Sequence, residues 1–265
     1  MLVWSSASRA LFAICGAGLA TIAYVLPLAI VVVASFAGRW NGVLPSHATF
    51  DNYAGVFHEA SAYQIRASLA TGLVASALAL ACGTWASIAL RSFPLAARRA
   101  LDVLFFVPSA VPSVSVGLAL LVAFSRPPLL LNGTLAIVFV AHFVLVSAFA
   151  YGNVSAGLAA LAPDYERVAE SLGARASYRL RRVTLPLVLP QLVASFGLGF
   201  ALSMGELGAT AMIYPPNWVT MPVGIFALTD RGDALRAAAE TVLLLTTTLV
   251  VLLVLARIPS RAVRR

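Results

Sequence analysis

Charged residues are scarce in this chain of 265 residues, and lysine is missing altogether. Only 11% of the residues are charged, 61% are hydrophobic, and the mean hydropathy is +0.94. Soluble domains carry about 25% charged residues, because their surface must remain compatible with water. The composition therefore excludes an ordinary soluble domain, and we expect lipid to solvate much of the chain.

Residues with the chemistry of an active site are also few. The two cysteines, Cys15 and Cys82, lie inside apolar runs without a metal-ligand spacing, and we expect them to be small buried hydrophobic side chains. No nucleophile–base pair, pair of carboxylates or phosphate-binding glycine loop is apparent. The sequence therefore predicts no catalytic residue, no metal site and no cofactor, and the chain is not expected to be an enzyme.

Long apolar runs take up most of the sequence. A helix needs roughly 20 mostly apolar residues to cross about 30 Å of hydrocarbon. Six stretches reach this length, and they predict an all-α integral membrane protein with six transmembrane helices in a single domain, residues 1–265. The predicted helices are residues 11–35, 65–90, 103–124, 135–154, 187–213 and 235–256.

Arginine supplies all 18 basic residues, and its distribution predicts the orientation of the chain. Thirteen arginines lie on one side of the predicted helices and five on the other. Cytoplasmic loops carry the excess of basic residues in membrane proteins, so both termini are expected to be cytoplasmic. Because the arginines lie in short breaks between apolar runs, the charge of +8 indicates membrane topology and not a nucleic-acid partner.

The predicted external connections, residues 38–64 and 214–234, contain Trp40 and Trp218. Tryptophan and tyrosine are enriched where the membrane meets water. We therefore expect these aromatic side chains to be interfacial.

The longest predicted cytoplasmic segment, residues 155–184, has the pattern of two short helices separated by Gly173. Val168 and Leu172 recur at i and i+4, while Glu166 lies on another face. The apolar edge must be buried against something, and a cytosolic partner is the natural candidate.

This segment resembles the signature loop of binding-protein-dependent ABC importer permeases. Gly173 is followed by nine residues and then by Val-Thr-Leu-Pro at 183–186, as in the family pattern Glu-Ala-Ala, three residues, Gly, nine residues, Ile-x-Leu-Pro. The front half departs from this pattern, because Arg167 stands where the family has Glu and only Ala169 matches. The resemblance implies a coupling loop for an ATP-hydrolysing subunit, with an ion pair whose residue stays open. The implied coupling residues are Glu166, Arg167, Ala169, Glu170, Gly173, Leu185 and Pro186.

A wider resemblance covers most of the chain. The segments FVPSAVPSVSVGLALLVAF at 106–124 and SMGELGATAMIYPPNW at 203–218 are similar to permeases of 2-aminoethylphosphonate uptake systems. The resemblance implies a type I (MetI-like) permease fold in the cell inner membrane. Its implied partners are a second permease subunit, two ATP-binding subunits and a periplasmic substrate-binding protein. Permeases for sulfate, molybdate, ferric iron, thiamine and polyamines share a GE-(F/L)-G-A-T segment, so these solutes are alternative substrates.

Glu206 is the one acidic residue that we place deep within a predicted span. A carboxylate there is costly unless it is paired, protonated or in contact with water. We predict that Glu206 lines a translocation path or gate together with Ser203 and Thr210. The alternative is a structural role in which the carboxylate bonds a neighbouring backbone.

Two further polar features lie in predicted spans. His142 either lines the path or is a hydrogen-bonded packing residue. Residues 108–115 combine two prolines with three serines. Ser109 and Ser113 therefore either line a cavity beside a broken helix or belong to an ordinary proline kink.

Two other functional classes are less favoured. A secondary transporter would be expected to carry more than one intramembrane carboxylate, and often inverted repeats. An integral membrane enzyme would require a cluster of His, Asp or Glu at a membrane face, and none is apparent. The sequence therefore favours the permease of an ATP-driven importer. It leaves open whether the second permease is a copy of this chain.

Overall fold

The structure is a computed structural model that describes residues 5–42, 44–54 and 59–258. These residues are mostly helical, because a helix satisfies its backbone hydrogen bonds internally and is stable in lipid. The helices of the first half are α1 (Ser6–Ser35), α2 (Asp51–Ala54), α3 (Glu59–Ala89), α4 (Leu95–Ala110), α5 (Ser113–Ala123) and α6 (Leu135–Ala160). Those of the second half are α7 (Pro163–Ser171), α8 (Ala176–Leu187), α9 (Leu189–Met204), α10 (Gly208–Ile213), α11 (Met221–Asp230) and α12 (Ala234–Ala256). A small antiparallel sheet pairs β1 (Ala37–Arg39) with β2 (Ser46–Ala48).

Four helices of the described chain are long and apolar enough to cross a membrane. They are α1, α6, α12 and a helix from Ser61 to Ser92, which contains most of α3. The pairs α4–α5 and α8–α9 also pass the test when each is taken together, which raises the number of candidate spans to as many as six.

Proline explains the sharp bend between α4 and α5, whose axes differ in direction by 102°. Val111 is extended because a residue before proline avoids the helical region, and Pro112 then begins α5 as its N-cap. The predicted span 103–124 is therefore two helices that meet at a corner.

The predicted span 187–213 is also divided. Helix α8 turns into α9 through 65° near Val188, just before Pro190 in the first turn of α9. Helix α9 then ends at Met204, and residues 205–207 separate it from α10. Glu206 consequently lies in a break and not within a continuous helix.

The described residues form two compact units. The first combines residues up to 62 with residues 225–245. In it, the side-chain amide of Asn52 donates to the carbonyl oxygens of Ser35 and Ala37 at 3.0 and 2.9 Å, which holds α2 against the end of α1. Helix α1 itself is exposed along most of its length in the isolated chain.

The second unit combines residues 63–224 with residues from 246 onward. Helix α6 forms its centre and packs against α4, α5, α9 and α10. Many of its apolar side chains are buried, and one cluster joins Ile137, Val138 and Ala141 of α6 to Ala209 and Ile213 of α10. This packing brings the broken segments α4–α5 and α9–α10 to the same central helix.

Close packing of α5 on α10 depends on Gly117. A Cβ atom at this position would lie 2.7 Å from the backbone oxygen of Ala209. We expect Gly117→Ala to destabilise the protein by about 1–3 kcal/mol, because the neighbouring atoms are backbone and cannot move aside. Thermal unfolding in detergent measures the effect. Gly16→Ala is the control, since no atom lies within 4 Å of its added Cβ, and equal melting temperatures for the two variants would contradict the prediction.

One expectation about individual side chains is wrong. Cys15 and Cys82 are exposed in the isolated chain and not buried, because they lie on outward faces of α1 and α3.

Trp218, which the sequence predicts to be interfacial, is half-buried. Its indole N–H donates to Thr71 Oγ1 at 3.0 Å and its ring packs edge-on against Tyr63, so it faces the inside of its unit.

Candidate functional site

A cavity of about 190 Å³ lies beside the corner of α4 and α5. Five of the six residues predicted for a path or gate line it, and the sixth, Thr210, bonds to one of them. The polar residues of its wall are Ser109, Ser113, His142, Ser203 and Glu206. Apolar side chains complete the wall, among them Val111, Leu145, Phe149 and Leu202. The fold thus brings three separate polar segments of the sequence to one site.

His142 connects α6 to both sides of the break after α9. Its Nδ1 lies 2.6 Å from Ser203 Oγ, and its Nε2 lies 2.9 Å from Thr210 Oγ1. A neutral imidazole has one donor and one acceptor nitrogen. All groups are satisfied when Ser203 donates to Nδ1, Nε2–H donates to Thr210, and Thr210 donates to the carbonyl oxygen of Glu206 at 3.4 Å. His142 is only 1% exposed, so this bridge is internal.

Glu206 shows the contacts expected for each of the two roles that the sequence left as alternatives. Its Oε1 accepts a hydrogen bond from the backbone N–H of Ala209 at 2.7 Å, which satisfies a free donor at the start of α10. The half-buried side chain also lines the cavity. Its backbone contact therefore stabilises a carboxylate that faces the cavity.

The serines of the α4–α5 corner differ in their contacts. Ser109 donates to the carbonyl oxygen of Phe106 in its own helix at 2.7 Å, as serines at a proline kink often do. Ser113 begins α5 next to Gly208. The break between α4 and α5 nevertheless lines a cavity. Irregular backbone is tolerated at membrane depth where it lines such a cavity.

The segment from α7 to α8 forms a second candidate site. Glu166 of α7 forms an ion pair with Arg91, with 2.9 Å between Oε1 and Nη1 and 3.4 Å between Oε2 and Nη2. Thr184 also donates to Oε1 at 2.8 Å. Partial burial alone would raise the pKa of the Glu166 carboxyl, but these hydrogen bonds and nearby positive charges outweigh burial and hold the pKa below its ordinary value of 4.5.

Most of the other predicted coupling residues are exposed to solvent in the isolated chain. Glu170 pairs with Arg179 at 2.8 Å and ties α7 to α8, while Arg167 lies 3.8 Å from Asp164 and is largely exposed. Leu185 is half-buried and Pro186 is exposed in the last turn of α8.

Gly173 ends α7 in the left-handed conformation, with φ of +81°. Its N–H donates to Glu170 and the N–H of Ala174 donates to Ala169, at 2.9 and 3.0 Å, which is the hydrogen-bond pattern of a Schellman motif. The break predicted at Gly173 is present, and it allows α8 to turn away from α7.

An apolar edge remains uncovered on this segment. Tyr165, Val168 and Tyr178 are each more than half exposed, and Leu172 is 82% exposed. Beside them lies a shallow depression of about 540 Å³ lined by Ala169, Leu172, Gly173, Ala174, Arg175, Ser177 and Tyr178. Exposed apolar patches rimmed by polar residues typically mark interaction sites.

One buried carboxylate was not predicted from the sequence. Glu240 of α12 is 2% exposed, and its Oε1 accepts a hydrogen bond from Ser61 at 2.9 Å. Glu240 lies within the predicted span 235–256, so the criterion that selected Glu206 applies to it equally. Glu206 is therefore not the one acidic residue within the apolar helices.

Asp102 was also missed, and it accepts a hydrogen bond from the hydroxyl of Tyr151 on α6. Its position just before the predicted span 103–124 concealed it, because α4 begins earlier, at Leu95.

Apolar spans that break around a polar cavity, with an exposed helical segment between two of them, define a helical membrane permease. Residues 76–265 match the family described as the inner membrane component of binding-protein-dependent transport systems. The chain belongs to this family of multi-pass ABC importer permeases.

Full-length relatives agree with this assignment. The chain is 50% identical to a Salmonella typhi protein named as the 2-aminoethylphosphonate transport system permease protein PhnV, over 98% of this chain and 99% of that one. It is 49% identical to the protein of the same name in Salmonella typhimurium, over 98% of each chain. It is also 40% identical to the molybdenum transport system permease protein ModB of Mycobacterium tuberculosis, over 42% of this chain and 46% of that one.

Solved structures share the fold. A bacterial ABC transporter that imports alginate has a chain with a TM-score of 0.76 at 16% identity, and the match covers 96% of each chain. The MetNI methionine transporter has a chain with a TM-score of 0.64 at 17% identity, covering 75% of this chain and 94% of that one. Together these findings confirm the predicted family, the MetI-like permease fold and the inner-membrane location.

Proposed function

We propose that this permease carries 2-aminoethylphosphonate inward across the inner membrane. The observation that carries the proposal is identity at half of all positions, over almost the whole length, to a permease named for that substrate. The cavity beside α4 and α5 is the proposed transit site. Its serine hydroxyls and the Glu206 carboxylate offer a zwitterion weak polar contacts, which suits a solute that must bind and then leave.

ATP hydrolysis is proposed to occur in separate subunits. The chain would work with two ATP-binding subunits, a second permease subunit and a periplasmic substrate-binding protein. The excess of arginine near residues 155–184 supports a cytoplasmic position for the α7–α8 segment, with both termini on the same side. The uncovered apolar edge around Leu172 supports docking of an ATP-binding subunit there.

Uptake by the reconstituted transporter tests the substrate. The full complex with its cognate binding protein, in proteoliposomes, is expected to accumulate labelled 2-aminoethylphosphonate only when ATP is supplied. A tenfold excess of sulfate, molybdate, ferric iron, thiamine or a polyamine is expected to leave the rate unchanged, whereas unlabelled 2-aminoethylphosphonate is expected to suppress it by about tenfold, as simple isotope dilution requires.

The binding protein provides an independent measurement. Titration calorimetry with the same panel of solutes is expected to detect binding of 2-aminoethylphosphonate alone. Tight binding of any other solute in the panel, together with its uptake, would overturn the substrate assignment and leave the family unchanged.

A further inference from the structure

Glu166 joins three helical elements, one of which is distant in the sequence from the other two. It lies on α7, its partner Arg91 lies in the short turn that follows α3, and its partner Thr184 lies in α8, four residues before the bend into α9. Arg91 is 75 residues away and Thr184 is 18 residues away. The carboxylate therefore links α7 to the end of α3 and to the part of α8 that precedes the bend into α9.

The contacts of Glu166 restrict its carboxylate. Its side chain is 30% exposed and that of Arg91 is 37% exposed, so the pair is partly buried. Thr184 is 2% exposed, and both carboxylate oxygens face the two Nη atoms of Arg91. Two-pronged arginine–carboxylate pairs fix geometry as well as charge. The carboxylate is therefore already engaged within the chain.

The other ion pairs found on α7 do not connect it to a helix that is distant in the sequence. Arg167 and Asp164 pair within one turn of α7, at 3.8 Å, with both side chains at least three-quarters exposed. Glu170 reaches only Arg179 of the adjoining α8, and 68% of its side chain is exposed. Among the ion pairs of the described residues, that of Glu166 is the one that connects α7 to the end of α3.

We infer that Glu166 is a positioning residue that transmits movement of α7 to the end of α3 and to α8 just before its bend into α9, and that it does not itself contact the ATP-binding subunit. The inference rests on the proposed docking of that subunit on the α7–α8 segment. In this division of roles, the apolar edge around Leu172 binds the ATP-binding subunit. The contacts of Glu166 with Arg91 and Thr184 transmit the movement of α7. The family's glutamate–ATPase ion pair then has no counterpart at Glu166.

Three measurements on the full complex test this division of roles. They are the amount of ATP-binding subunit that co-purifies, the rate of ATP hydrolysis, and the rate of uptake into proteoliposomes. For Glu166→Ala, we expect co-purification and hydrolysis within about twofold of wild type, and uptake reduced by about tenfold, the scale of a typical coupling between sites. Arg91→Ala is expected to behave in the same way.

Two further variants allow the inference to be tested even if either alanine variant folds poorly. The exchange Glu166→Arg with Arg91→Glu reverses the ion pair and is expected to recover at least about a third of the uptake lost in the single variants, because the charge attraction is retained. Asp164→Asn is the matched control, since it removes one carboxylate from the same helix but breaks only a local exposed pair. It is expected to match wild type in all three measurements.

Distinct results would overturn the inference. Loss of the ATP-binding subunit from the Glu166→Ala complex would identify Glu166 as a docking contact. Unchanged uptake in that variant would remove its role in transmission, and failure of the charge exchange to recover uptake would contradict the pair as the connection. If the wild-type complex contains no ATP-binding subunit, the proposed function fails as well, and this outcome is recognised before any variant is made.

Discussion

Replacing Gly173 with valine is expected to reduce ATP-driven uptake by about 5- to 30-fold, because the backbone here is left-handed. A residue with a Cβ pays roughly 1–2 kcal/mol at such a position, and such a cost changes an equilibrium about 5- to 30-fold. No atom lies within 4 Å of the added Cβ, so the effect is backbone strain and not a clash. Relief of the strain would change the angle between α7 and α8 and deform the apolar edge. We therefore expect Gly173→Val to lose the ATP-binding subunit, which co-purification and uptake measure together.

Gly232 provides a matched control for this variant. Its φ is +82°, no atom lies within 4 Å of its Cβ position, and it ends α11 with hydrogen bonds of the same kind. Gly232→Val therefore carries the same local strain in a different loop. We expect it to retain the ATP-binding subunit that Gly173→Val loses. Loss of the subunit in both variants would point to general misfolding and contradict a specific role for Gly173.

Replacing His142 with leucine is expected to destabilise the protein by about 1–2 kcal/mol and to reduce uptake. The substitution leaves the buried hydroxyls of Ser203 and Thr210 without their partner, and an unsatisfied buried group costs about 1–3 kcal/mol, less where a hydroxyl can turn to its own helix. The break that carries Glu206 would also lose its hydrogen bonds to α6. Thermal unfolding in detergent and uptake in proteoliposomes measure the two effects.

Two variants on α6 separate the bridge from general packing. Ser147→Ala removes a hydroxyl that bonds only to the carbonyl oxygen of Val144, at 2.8 Å, and we expect it to unfold at the wild-type temperature. His142→Gln keeps one donor and one acceptor and is expected to recover part of the stability. A melting temperature for His142→Leu equal to that of wild type would remove the structural role of the bridge.

Glu206 shows what a local sequence pattern can predict. A carboxylate in an apolar run is improbable without a function or a partner, so the sequence alone selected it. Its backbone partner Ala209 is three residues away and follows from helix capping. The break on which this contact depends did not appear in the predicted span 187–213, because hydropathy does not distinguish a continuous helix from two helices in series.

Glu166 shows what a local sequence pattern cannot predict. The sequence predicted it as a candidate for an ion pair with the ATP-binding subunit. Its actual partner, Arg91, follows α3 and is 75 residues away. Glu240 and Ser61 are 179 residues apart. Pairing over such distances depends on how helices rotate and pack, and no local periodicity encodes it.

The amino-acid sequence by itself determined the membrane class, the helical fold, the break at Gly173 and the identity of the polar residues worth examining. These properties are local, since they follow from hydropathy, from the conformational freedom of glycine and from the cost of a charge in lipid. Only the tertiary structure decided that serines of α4 and α5, His142 of α6 and Glu206 share one cavity. It also decided that Glu166 bonds within the chain, because both outcomes require side chains from separate helices to meet in space.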